Sequence, residues 1–208
     1  MARARRGFGL SSASWAVHML LLSAAAVAVA QPARTQTAEA PQWLIVPGSE
    51  RLEVQGTAQG LEILGRFGSF DAEIAFQPGA PELASVSVTI DTASWTSSLP
   101  AADDRVLGPD WLSVDLAPTA RWVLSELTET GEAQYLAAGV LTIRDRSAPV
   151  PLSLTLKIDP QGMALDAAGT GLLDRRDFAL GSISAPDEGT AGFAVAIRFE
   201  FSARRVEP

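Results

Sequence analysis

A strict alternation of apolar and polar residues constrains this chain more than any other feature. In Gly139 to Ile158, GVLTIRDRSAPVPLSLTLKI, the residues Val150, Leu152, Leu154, Leu156 and Ile158 are apolar, while Pro151, Ser153, Thr155 and Lys157 intervene. A helix would scatter such a set around its circumference. A strand, whose side chains alternate faces, gathers it on one buried face. Gly139 to Ile143 reads as the partner strand, and Arg144 to Pro149 as the polar break of a hairpin.

The same rhythm extends in both directions. Phe70, Ala72, Ile74 and Phe76 alternate with Asp71, Glu73 and Ala75, and Val86, Val88 and Ile90 follow the turn Pro78-Gly79-Ala80-Pro81. Near the end, Phe193, Val195, Ile197, Phe199 and Phe201 repeat the pattern. Short strand pieces are expected at 43–46 and 51–54 around Pro47-Gly48, and a longer one at 61–67, where Gly60, Gly65 and Gly68 mark bends or close backbone approach. Further strands are expected at 121–127, 134–143, 150–158, 163–171 and 192–203. Only 103–116, DDRVLGPDWLSVDL, breaks the rhythm. It reads as a short helical or irregular cap, because Gly108-Pro109 prevents one continuous helix. Eight or nine strands joined by short turns suggest an all-β barrel or sandwich.

The chain opens with a segment outside this pattern. Arg3, Arg5 and Arg6 precede an apolar run from Trp15 to Val29 that ends in Ala28-Val29-Ala30, the features of a secretory signal peptide over 1–30. Arg5-Arg6 before Phe8 also resembles a twin-arginine export signal. A flexible Ala/Thr/Pro/Gln leader, 31–42, is expected to follow, and a single domain over 43–205. Cleavage near Ala30 leaves 13 basic residues against 24 acidic ones. Such a surface repels nucleic acid, and after signal removal no stable membrane span is expected. Periplasmic or secreted localisation follows from the signal peptide.

The reactive inventory narrows function further. The chain has no cysteine, and its one histidine, His18, lies inside the signal segment. The mature protein therefore lacks a thiol, a thiolate or imidazole metal ligand, and an imidazole base. No catalytic residue, metal site or cofactor is expected. A carboxylate hydrolase would need two acids facing each other roughly 5 to 10 Å apart, and no pair nominates itself. A barrel of about eight strands is either just filled by side chains or holds one small ligand. Its inward residues mix large groups, Phe67, Phe70, Phe76, Trp122 and Phe199, with small ones, Ala72, Ala137, Gly139, Ala167 and Gly169. The small residues could nest the large ones or leave a channel, and both readings stay open here. The charged clusters at 144–146 and 174–177 are either solvated turns or sources of an arginine for an anionic head group.

Several motifs in order resemble the YceI-like family of periplasmic proteins. Gly65-Arg66-Phe67 with Phe70 and Ile74 is similar to that family's opening. Asp91 with Ser94, Asp104 with Leu107, Asp110-Trp111-Leu112 and Pro118 resemble its central segment. Leu141-Thr142-Ile143-Arg144 with Pro149-Val150 and Leu152 looks like its hairpin, and Arg176-Asp177-Phe178 with Gly181 is similar to its R-x-DFG signature. The resemblance covers Trp43 to Arg204. It implies an antiparallel up-and-down β-barrel of about eight strands, lipocalin-like, with a polyisoprenoid or similar long lipid in its bore and no catalytic activity. The chain departs from the family at Asp103 and Val106, where an arginine and a histidine are usual, and at Ala179. It also departs at Asp145, which replaces a hairpin glycine and is expected to tolerate positive φ.

The expected bore or mouth residues are Phe67, Phe70, Phe76, Trp95, Leu107, Trp111, Trp122, Leu141, Leu154 and Phe178, with Arg144 and Arg176 as head-group candidates. The expected partner is an isoprenoid or other long-chain lipid, and a homodimer is kept open. The competing expectation is a ligand-free barrel that acts as an extracytoplasmic interaction or stress-response module.

Overall fold

A computed structural model describes residues 39–207. The signal segment and most of the leader expected from the sequence lie outside the described residues. Among the described residues twelve strands form: β1 (Gln42–Ile45), β2 (Arg51–Ala58), β3 (Leu61–Phe67), β4 (Phe70–Ala75), β5 (Ser85–Asp91), β6 (Trp95–Ser97), β7 (Thr119–Gly131), β8 (Gln134–Ile143), β9 (Arg146–Pro149), β10 (Leu152–Ile158), β11 (Ala164–Asp174) and β12 (Ala194–Arg205). One short helix, α1 (Asp103–Leu107), interrupts them.

Several strands are halves of longer ones broken by bends. β1 and β2 lie in sequence along β12, β3 and β4 lie along that bent strand, and β5 and β6 along β4 and β3. The remaining neighbours run β5-β7-β8-β10-β11-β12, with β9 completing the top of β10's side of the β8 hairpin. Because β1 is bonded to β4 and also to β12, the sheet closes. The result is an antiparallel, up-and-down, eight-stranded barrel with little helix, as expected.

Glycines and a bulge do identifiable work on the wall. Ser125 is an extra residue in β7, between the pairs Leu124–Gly139 and Glu126–Ala138. Alternation is reset there: Trp122 and Leu124 line the interior before the bulge, and Leu127 does so after it. Trp122 lies flat over Gly139, Trp95 over Gly65, and Phe199 over Gly169; an added Cβ at any of these glycines would overlap the ring.

The opening hairpin is tighter than its sequence suggested. The turn is Arg144-Asp145 alone, since Ile143 already pairs with Arg146, and 146–149 is strand β9 rather than part of a polar loop. The positive φ falls on Arg144, at 56°, and not on Asp145. The register explains the short turn: Ile143 faces Arg146, next to Thr142 and Ser147 with hydroxyls 2.8 Å apart, leaving two residues to reverse the chain.

One end of the barrel is plugged by its own core. Trp43, Phe76, Tyr135 and Leu165 are buried there, the Trp43 indole Nε1–H donates to the Phe76 carbonyl at 2.9 Å, and the Phe76 and Tyr135 rings meet edge to face at 5.6 Å. The other end carries α1, the turns of 108–117, and a second irregular segment, 175–193.

Gly139→Ala places a methyl against the Trp122 ring on a rigid strand. Urea unfolding is expected to show a loss of about 1–3 kcal/mol, the range for overpacking a filled site, and Gly56→Ala, with open space at its Cβ, is the control that stays close to wild type.

Candidate functional site

Between the plugged end and the cap lies a cavity of about 360 Å³. Its walls are almost wholly carbon. Val86, Val88 and Ile90 of β5 face Leu152, Leu154 and Leu156 of β10 across it, and Ile197, Phe199 and Phe201 of β12 close a third side. These inward side chains are only half-buried although none faces outer solvent. Their exposure is to the bore itself, which distinguishes this barrel from one filled by side chains.

Eight of the ten residues expected at the bore line this cavity: Phe67, Phe70, Phe76, Trp95, Trp111, Trp122, Leu141 and Leu154. Leu107 and Phe178 do not. Phe178 is fully buried within the cap, and Leu107 sits in α1 turned from the lumen, where its neighbour Val106 takes the lining position. The cap is helical for only five residues, so a one-residue change of register swaps which side chain faces inward.

The two arginines expected to meet a head group are engaged elsewhere. The Arg144 guanidinium donates to the carbonyls of Pro109, Phe178 and Ala179 at 3.0, 2.8 and 3.1 Å, tying the hairpin tip to both cap segments. Arg176 pairs with the Asp174 carboxylate and stacks over Phe193, its guanidinium carbon 4.1 Å from the ring centre. Neither lines the cavity. Hydrogen bonds from Arg176 hold the Asp174 carboxyl down at about 2.

Arg175 is the residue that the sequence reading missed. It is 2% exposed and forms part of the cavity wall. Its Nε–H donates to the Gly192 carbonyl at 3.0 Å, Nη1 to Leu180 at 2.6 Å, and Nη2 to Ala185 and Ala191 at 2.6 and 2.9 Å. Burial pulls its guanidinium below the ordinary arginine range, with Asp174 opposing. A signal did exist: an R-x-D-F spacing fits Arg175, Asp177 and Phe178, whereas Arg176 stands one residue too late.

Two carboxylates fasten the rest of the cap. Asp103 accepts from the Trp95 indole at 3.1 Å and from the Ser97 hydroxyl at 2.6 Å, so the acid at the start of α1 pins the helix to β6. Asp110 accepts from the Ser184 hydroxyl and amide, both at 2.7 Å, and from the Ile183 amide at 3.1 Å. Burial alone would raise the Asp110 carboxyl, but the Ser184 and Ile183 hydrogen bonds outweigh it and the net shift is downward. Among the described residues no cluster of three or more His, Cys, Asp or Glu could hold a metal ion, and no helix is long and apolar enough to cross a membrane.

Comparison with known proteins places this barrel. A family model described as a YceI-like domain matches residues 43–203. A UPF0312 protein of Vibrio cholerae is 29% identical over 122 residues, 57% of this chain and 65% of that protein, so the match spans just under two thirds of the relative. A UPF0312 protein of Ectopseudomonas mendocina is 28% identical over 139 residues, 65% of this chain and 73% of its own length. Among solved structures, Burkholderia cenocepacia BcnA superposes with a TM-score of 0.70 at 24% identity, covering 76% of this chain and 98% of that one. The Campylobacter jejuni YCEI protein gives 0.61 at 21% identity, over 69% and 85%. At those identities the structures share the fold.

Two outcomes are expected. Arg144→Ala removes three hydrogen bonds from a charged donor, and chemical denaturation should report a loss of about 2–3 kcal/mol, with Arg144→Lys recovering part of it. Asp174 has a depressed folded-state value, so its contribution to stability is present above the ordinary carboxylate range, 3.8, and lost as pH falls towards about 2. Melting temperature should therefore drop between pH 4 and 2, and less steeply in Asp174→Asn.

Proposed function

The chain belongs to the YceI-like family, and from that membership and its apolar bore we propose an exported lipid-binding protein that holds or carries a polyisoprenoid or similar long ligand. The observation that carries the reading is the cavity: about 360 Å³, within the range of small-molecule sites, and walled by Val, Leu, Ile, Phe and Trp. Each CH₂ moved from water into such a wall contributes about 0.8 kcal/mol, so a long chain is held by length alone. Such a ligand dissolves poorly in water, and the closed wall gives it a place outside a membrane.

The rest of the chain is consistent with this use. The bore's lining is almost wholly apolar, so binding rather than catalysis is the activity inferred. Export follows from the basic, apolar and small-residue succession of 1–30, which would release a mature chain beginning at Gln31.

Organic extraction of the purified protein followed by mass spectrometry is the direct check. A reproducible long-chain lipid is expected. Val88→Trp, which adds a ring at mid-bore, should lose that lipid while the barrel remains folded. Extracts free of lipid, together with no uptake of added polyprenyl alcohols, would remove the proposal.

A further inference from the structure

The bore has two unlike ends, and the plugged one is held more firmly than mere containment requires. At mid-bore Val86, Val88, Leu152 and Leu154 are half-buried, whereas Phe76, Leu127 and Leu165 line the same cavity at 3%, 8% and 2% exposure. The lumen therefore stops at these three side chains. Trp43 and Tyr135 are as deeply buried but do not line the cavity, and both meet Phe76 on its far side. The approach to this floor also tapers: along β4 the inward side chains grow from Ala72 through Ile74 to Phe76 just beyond its end.

Phe76 is held from three directions. Its amide donates to the Pro41 carbonyl at 3.0 Å, and its own carbonyl accepts from the Trp43 indole at 2.9 Å. The main chain is thus pinned on both sides by β1 and the residue before it. The ring meets Tyr135 edge to face, with the two planes at 86°. A gate needs a second place in which to put its side chain, and in a packed interior the space behind this ring is already filled. The ring is a stop and not a door. Phe76, Leu127 and Leu165 present no side-chain donor or acceptor, so what reaches them without penalty is hydrocarbon.

We propose that Phe76 is the residue that determines tail length: its ring is a fixed stop that sets the longest apolar chain the bore can bury, so the protein sorts ligands by length. This rests on the reading of the bore as a lipid site and adds to it the dimension along which that site selects. Up to the stop, each further CH₂ leaves water and raises affinity about fourfold. Past the stop a further CH₂ has no apolar wall to enter, and the gain ends. Trp43 bonds to the main chain of Phe76 and not to its ring. Removing the ring in Phe76→Ala therefore deepens the bore while that bond stays in place.

The test titrates the even-numbered straight-chain alcohols from decanol to docosanol into delipidated protein, reading displacement of the neutral fluorophore N-phenyl-1-naphthylamine. In the wild type, affinity should climb with length and then break off at one homologue. Phe76→Ala should move the break to a longer homologue, so that the first alcohol past the wild-type break gains about tenfold or more. Phe76→Leu, which keeps an apolar side chain in place, should move it in the same direction and makes the test should Phe76→Ala fail to fold by circular dichroism. Leu173→Ala hollows the same bore at its capped end and should leave the break where it is. Affinity that climbs without a break to docosanol in the wild type overturns the stop and leaves the lipid site standing. A break unmoved in the folded Phe76 variants, or moved equally by Leu173→Ala, overturns the assignment to Phe76. Absence of binding by every alcohol overturns the lipid site itself, and this inference with it.

Discussion

Everything else in the molecule depends on a short run of pairing between its first and last strands. Trp43, Leu44 and Ile45 pair with Arg205, Arg204 and Ala203, and the Val46 and Val206 amides extend the seam to Ser202 and Gln42. Without it β1 would be an exposed edge and β12, which β2 covers only from Ala196 to Glu200, would lie open along 203–205, so the ring would not be sealed. With it the ring is complete at eight strands, a number whose interior is near the limit of what side chains alone can fill. Whether space remains then turns on how large the inward residues are and where their bulk lies.

Bulk lies against the wall. The largest rings are laid over glycines on neighbouring strands: Trp122 over Gly139, where its indole also donates to the Val150 carbonyl at 2.9 Å, Trp95 over Gly65, and Phe199 over Gly169. A ring seated in this way presents its face to the lumen and takes little depth from it. Alanines at 72, 120, 137 and 167, on β4, β7, β8 and β11, keep the wall shallow beside the rings. Nesting and a channel, which looked like competing uses of small residues, are therefore one arrangement: glycine lets the aromatic lie flat, and the flat aromatic leaves the bore open.

The strands and their order were readable because alternation is a local property, and closing the barrel lets one inward set follow from each strand. The bulge at Ser125 was not readable, since nothing in LSEL departs from ordinary strand composition; it shows only through register. The cap was half readable. Gly108-Pro109 marked the segment near 103–116, but 175–193 has no periodicity, and its course is set by side chains bonding to distant carbonyls. Leu107 and Phe178, expected at the bore or mouth, lie in the cap without lining the cavity: segments as short as these offer no repeat from which to tell which face is inward. The lead given to Arg144 and Arg176 had the same origin. Charge beside charge in sequence suggests a cluster, whereas burial, the property that separates Arg175 from Arg176, is decided by the fold.

The cap also shows how an acidic protein can keep a cationic interior. Arg144 and Arg175 spend most of their donors on main-chain carbonyls, and Asp103 and Asp110 accept from indole, hydroxyl and amide groups. The charges of these four residues are thus satisfied by neutral dipoles, whereas Arg176 and Asp174 form an ion pair outside the bore. An ion pair would cancel the field at the end of the bore. A carbonyl cage satisfies nearly all of the hydrogen-bonding capacity and leaves the field intact. The segment 175–193 is held in place by the same bonds that keep Arg175 charged and facing apolar surface, so the device that builds the lid and the device that polarises the cavity are the same set of atoms.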